Sequence, residues 1–131
     1  MNILLILFGK TLSKLISLLN LGSGATWPGH IALNLNKKFI REILSGSKVK
    51  IILVAGTNGK TTTSKLIQTI LHSDGKKTFR NTSGANLLNG IASSLILNSN
   101  FFGKLNYDYA IFEVDENKLH NYPYERPFLK E

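Results

Sequence analysis

The sequence predicts an α/β fold: a layered parallel sheet with a phosphate-binding loop, preceded by N-terminal helices. Three observations carry that expectation. "VKIILVA" (49–55) is a short, β-branched, nearly continuous apolar run, as expected for a strand covered on both faces of a parallel sheet. "GTNGKTTT" (56–63) comes directly after it and opens a helical stripe. Strand-like and helix-like segments then alternate as far as residue 115, the order of an α/β fold with right-handed crossovers.

The first segment is the most apolar. In "MNILLILFGKTLSKLISLLNLGSG" the apolar run Ile3 to Phe8 is six residues long, and Lys10 and Lys14 interrupt the residues after it. A spanning helix needs roughly 20 apolar residues, so this segment does not cross a membrane. A secretory signal would carry its positive charge before the apolar run, whereas these lysines come after it. Leu5, Phe8, Leu12, Leu15, Ile16 and Leu19 recur at helical spacing, and Gly22 supplies a stop. The commoner role for such an amphipathic helix is packing on the domain. Peripheral contact with a membrane through residues 1–21 is the alternative.

Residues 22–36 are rich in Gly and Pro and read as a connecting loop. Trp27 and His30 there are packing or surface residues rather than ligands, because no second metal-type side chain is near. A short helix is predicted over 37–45, with Phe39, Ile40, Ile43 and Leu44 on one face and Gly46 ending it. Residues 1–46 are therefore expected to form a helical lead-in, and 47–131 part of the α/β domain. After the glycine loop, Leu66, Ile67, Ile70 and Leu71 form a stripe closed by Asp74-Gly75. "KKTFR" (76–80) is a second strand; Ala85, Leu88, Ile91, Ala92 and Leu95 mark another helix; and "YDYAIFEVD" (107–115) is a third strand. Three strands make a short sheet, which is expected to leave Tyr109 and Ile111 beside an exposed edge.

Composition narrows the function classes. The 131 residues include no cysteine, so neither a disulfide framework nor a thiolate zinc site exists in this chain. The net charge is +8, and residues 1–80 hold twelve Lys/Arg against Glu42 and Asp74 alone. That asymmetry points to an anionic partner such as nucleotide phosphates or lipid head groups. Interleaved aromatic and basic positions of an RNA-binding sheet are absent, so no nucleic acid is expected. A small nucleotide- or nucleic-acid-binding module without catalytic chemistry stays as an alternative.

The loop is the chemical signal. It joins a strand end to a helix start, where α/β sheets bind ligands. Gly56 and Gly59 allow a tight turn that presents backbone N–H groups to anionic oxygens, with Thr57 and Asn58 between them. The helix after it adds its positive end. Lys60 supplies a full charge to a terminal phosphate, Thr61 a hydroxyl to Mg²⁺, and Thr62 adds a further hydroxyl beside them. The usual G-x-x-x-x-G-K-[ST] signature would place glycine where this chain has Val54, so the loop is a shorter variant. A carboxylate near the end of a strand in the same sheet can reach that metal, which singles out Glu113; alternation keeps Asp115 as a second candidate.

G-T-N-G-K-T-T resembles the ATP loop of the Mur ligase family, which includes the folylpolyglutamate synthases. "GATWPGHIAL" (24–33) and "NTSGANLLNGIASSL" (81–95) are similar to the amino-terminal region of its MurT subfamily, and "FEVDE" (112–116) to the family's segment with a metal-binding glutamate. The resemblance implies that Gly56, Thr57, Asn58, Gly59, Lys60 and Thr61 form the ATP loop, and that Thr61 and Glu113 hold Mg²⁺. Asn86 matches the G-N element before a helix, as a nucleotide contact or as a helix cap.

The implied activity is that of an ATP-dependent, glutamine-using carbon–nitrogen ligase. It would amidate the D-glutamate α-carboxylate of lipid II through an acyl phosphate, in the cytoplasm or at the inner membrane face, with a GatD-type glutaminase as partner. Another ligase of the superfamily is the alternative. The subfamily's N-x-x-R-D-Q-x-D stretch, four-cysteine zinc ribbon and C-terminal aspartate domain have no counterpart here. An incomplete central domain, inactive alone, is the expectation.

Overall fold

The computed structural model describes residues 2–19, 26–81 and 87–116. Gly22, Gly84, Ala85 and Asn86 lie outside them. The elements, in chain order, are α1 (Asn2–Leu18), α2 (Trp27–Leu35), α3 (Phe39–Ser45), β1 (Lys50–Ala55), α4 (Lys60–Ser73), β2 (Thr78–Arg80), α5 (Leu88–Asn98) and β3 (Tyr109–Val114). Among the described residues the three strands form one parallel sheet in the order β1-β3-β2. The α/β class and the alternation read from the sequence hold.

The last of the described strands, β3, is central in the sheet, and that fixes what is buried. Register pairs Leu53 with Phe112 and Val54 with Glu113 on one side of β3, and Arg80 with Ile111 on the other. Alternation sends Ala110, Phe112 and Val114 into the main core. There they meet Phe79, Ile91, Leu95 and Ile96, together with Leu5 and Ile6 of α1 and Phe39, Ile40, Ile43 and Leu44 of α3. The N-terminal helices therefore share one core with the sheet and α5. The opposite face, with Ile111 and Glu113, lies under α4, whose Ser64 is fully buried.

Several sequence expectations are corrected. Trp27–Leu35 is a helix, not a loop. Pro28 sits at its first turn, where a missing N–H costs nothing, and Gly29 is there because α5 comes too close for a side chain. Within α1 the buried residues are Leu5, Ile6 and Gly9, while Phe8, Leu15 and Leu19 are exposed. That helix is apolar on both faces, so periodicity did not choose between them; Gly9, set against Ile96 and Pro28, does. β1 is not covered on both faces: it flanks β3, and Leu53 remains 44% exposed. Ile111, expected beside an edge, is fully buried because β3 has a neighbour on each side. The stripe on α4 is also displaced, with Leu66 and Ile70 exposed and Ile67, Gln68 and Leu71 half-buried.

Candidate functional site

The glycine loop leaves β1 at its carboxyl end and enters α4 with no intervening element. Gly56 has φ +155° and Gly59, the residue before the helix, has φ +77°. Side chains rarely adopt either value, which is the physical reason both are glycine. Lys60 is the first residue of α4, and its ammonium turns back into the loop. Nζ donates to the Gly56 carbonyl at 2.6 Å and the Thr57 carbonyl at 3.4 Å. Thr57 Oγ1 donates to Glu116 Oε1 at 2.6 Å, tying the loop to the segment after β3. Asn58 is exposed within the loop, and Thr62 is exposed on the first turn of α4.

Glu113 is the hub of the site. It is 2% exposed, and its two carboxylate oxygens have separate duties. Oε2 accepts from Thr61 Oγ1 at 2.7 Å. Oε1 accepts from Ser64 Oγ at 2.7 Å and from Arg80 Nη1 at 3.2 Å. Arg80 is oriented in turn by Gln68 Oε1, accepting from Nε at 3.0 Å, and by Ser64 Oγ, accepting from Nη1 at 3.1 Å. A buried carboxylate is stable only when paired and hydrogen-bonded, and here Thr61, Ser64 and Arg80 together hold one orientation.

The backbone of Glu113 is fixed as well. Asn81 Nδ2 donates to its carbonyl at 2.9 Å, and its N–H donates to Asn81 Oδ1 at 2.8 Å. This side-chain amide takes the place of a ladder residue where β2 has ended.

The structure thus brings Thr61 and Glu113 together and puts Lys60 against the loop they flank. Asp115 lies just past the end of the strand and is half-buried, so alternation does not fix its side as it does that of Glu113. Asn86 is outside the described residues. Ser64, Arg80, Asn81 and Glu116 were not singled out in the sequence. Ser64 lies one helical turn after Thr61 on the same face, which is a readable signal. Arg80 and Asn81 carry none, because only the pairing of β2 with β3 brings them to Glu113.

The donor set fits a hard divalent cation. Thr61 Oγ1 and Glu113 Oε2 are adjacent oxygens, and Mg²⁺ commonly takes one or two protein oxygens while keeping waters and phosphates. Among the described residues no group of three His, Asp or Glu side chains forms a self-sufficient metal site. No helix among them is long and apolar enough to cross a membrane.

Comparison with known proteins agrees with this geometry. Residues 54–127, more than half of the chain and including the loop and Glu113, match the Mur ligase middle domain. The MurT subunit of lipid II isoglutaminyl synthase (glutamine-hydrolyzing) from Streptococcus pneumoniae is 35% identical over 99 residues, or 76% of this chain. The subunit of the same name from Staphylococcus aureus strain COL is 35% identical over 96 residues, or 73% of this chain. The chain spans only 21% of the length of each of these relatives. A loop of this form, leading into a helix whose threonine meets a buried glutamate on the central strand, therefore has a named lineage: the chain belongs to the Mur ligase family.

Proposed function

We propose that this chain carries the ATP-handling part of a MurT-like amide ligase acting on the D-glutamate α-carboxylate of lipid II. The observation that carries the reading is the 2.7 Å contact between Thr61 and Glu113, which joins the loop helix to the central strand. Gly56 to Thr61 cradle the phosphates through backbone N–H groups and the positive end of α4. Lys60 exchanges its loop carbonyls for β- and γ-phosphate oxygens and stabilises charge on the transferring phosphoryl group. Thr57, Asn58, Thr62 and Asn86 complete the nucleotide contacts. Thr61 and Glu113 are the residues that would hold Mg²⁺, which when bound neutralises phosphate charge. Arg80 and Ser64 keep the Glu113 carboxylate aimed at Thr61.

In the proposed reaction an acceptor carboxylate oxygen attacks the γ-phosphorus, and ADP leaves. Ammonia then attacks the acyl carbon, loses a proton and expels phosphate. A GatD-type glutaminase would supply the ammonia, and the lipid-linked substrate puts the reaction in the cytoplasm at the inner membrane face. The described residues supply the phosphate-handling groups; no acceptor contact is assigned to any of them. Residues 47–131 would be the ATP-binding unit and 1–46 its helical lead-in.

Calorimetry tests the reading. Lys60→Ala should weaken MgATP binding at least tenfold, about 1.4 kcal/mol, because phosphate oxygens lose their cation. Unchanged affinity overturns the loop assignment. For the whole ligase, product analysis on lipid II against folate with glutamate separates this activity from that of a folylpolyglutamate synthase.

A further inference from the structure

We propose that α1 and the adjoining turn at Phe101–Phe102 form a surface that lies in the interface of an anionic lipid bilayer. The surface is remote in sequence from the nucleotide loop and does not depend on its function. α1 buries Leu5, Ile6 and Gly9, and its opposite side is apolar as well. Leu4, Leu7, Phe8, Leu15 and Leu18 fall on one stripe of a 3.6-residue helix and are all exposed. Leu4 is 72% and Leu18 74% exposed, so this is an open face and not a partly covered flank. Contiguous apolar surface left open on a folded domain marks an interaction site.

The turn at 101–102 packs beside α1 and is exposed as well. Phe101 and Phe102 are 61% and 75% exposed. Lys10 Nζ lies 5.5 Å from the Phe101 ring centroid, and Gly103 packs so closely that a Cβ there would stand 3.1 Å from Ile6 Cδ1. Helix and turn therefore pack against each other.

Charge identifies the occupant. α1 contains no acidic residue, and exposed Lys14 borders its open face, placed to reach head groups along its apolar stem, while Lys10 on the same flank donates from Nζ to the Ser99 carbonyl at 2.5 Å. Residues 1–80 carry twelve basic against two acidic side chains, giving a field that attracts an anionic surface. The helix has 17 residues and is too short and too polar at Lys10 and Lys14 to span, so it would lie in the plane of the interface. A bilayer accepts both the apolar stripe and its basic border.

The test is co-sedimentation of the 131-residue chain with vesicles of phosphatidylglycerol and phosphatidylcholine, and with phosphatidylcholine vesicles alone. The chain should bind the anionic vesicles at least tenfold more tightly. Leu4→Glu/Leu15→Glu and Phe101→Ser/Phe102→Ser should each reduce that binding at least tenfold with the circular dichroism spectrum unchanged; if one variant fails to fold, the other decides. Absence of vesicle binding, equal binding to both vesicle types, or full binding by the folded variants overturns the proposal. Self-association without lipid that Leu4→Glu/Leu15→Glu dissolves also overturns it, in favour of a second copy covering the face. Nucleotide affinity measured on the same samples keeps the two assignments apart: absence of vesicle binding by the unmutated chain with MgATP binding intact refutes only the membrane surface.

Discussion

Replacing Glu113 by glutamine preserves shape and removes one charge from the centre of the site. The carboxylate accepts three side-chain hydrogen bonds, from Thr61 and Ser64 at 2.7 Å and Arg80 at 3.2 Å. Glutamine retains an oxygen for Ser64 and Arg80, and its NH₂ can donate to Thr61, whose hydroxyl rotates to accept. Geometry survives; charge assistance does not. A hydrogen bond to a charged group contributes about 1.5–3 kcal/mol and a neutral one about 1. Three weakened bonds would sum to roughly 3 kcal/mol, but Arg80 keeps 20% of its side chain in solvent and recovers part of that.

The expected loss is therefore about 2 kcal/mol, a fall in Tm of roughly 6–10 °C for a chain of this size. Calorimetry with ATP should show weaker binding in Mg²⁺ and nearly unchanged binding in a chelator. Arg80→Gln is the control: it also breaks the ion pair but leaves the carboxylate, so Mg²⁺-dependent binding should persist. An equal loss for Glu113→Gln with and without Mg²⁺ would refute the metal role and assign Glu113 to holding the strand.

Other parts of the fold give two further expected outcomes. Gly29→Ala should destabilise by at least about 2 kcal/mol: overpacking costs roughly 1–3 or more, a buried hydrogen bond is strained, and the helix-propensity gain is only about 1. The added Cβ would stand 1.9 Å from the Asn89 carbonyl oxygen and would push α2 off the 2.8 Å bond from Gly29 N–H to Ser93 Oγ. A variant as stable as the parent in thermal unfolding would show that α2 and α5 do not pack this closely. At the other end of the core, hydrogen bonds from Asn2 and then Asn36 hold the Glu42 carboxyl below its ordinary value of 4.5. A lowered folded value gives stability that is present above the unfolded value and lost as pH falls through the folded one. Glu42→Gln should thus reduce the drop in Tm between about pH 6 and pH 3, and an unchanged drop would exclude the contribution.

Local chemistry made the glycine loop readable in advance: only glycine suits the backbone at 56 and 59, and a lysine and hydroxyl directly after them suit the proposed phosphate contacts. Glu113 was legible because strand alternation sets its side. Its surroundings were not. Arg80 and Asn81 reach Glu113 because β3 inserts between β1 and β2, a pairing order that no local pattern encodes. The helix at Trp27–Leu35 was missed because Trp-Pro-Gly reads as a turn until α5 is known to press on Gly29. Periodicity also misjudged α1, since its apolar residues fall on two opposite faces and the pattern alone does not say which is inner.

The position of Lys60 changes what its affinity means. With its ammonium already on the Gly56 carbonyl at 2.6 Å, the loop carries its own internal substitute for a ligand. On the proposed reading, nucleotide entry would be a swap of oxygen partners rather than the capture of a bare cation, so the gain would be only the difference between phosphate and carbonyl. The same swap releases the Gly56 carbonyl, which must find another donor or water. Removing the lysine therefore acts on both sides of the equilibrium: it deprives the nucleotide of a charge and the empty loop of its clasp. An alanine variant should bind more weakly and also show faster amide hydrogen exchange across residues 56–60 before any nucleotide is added.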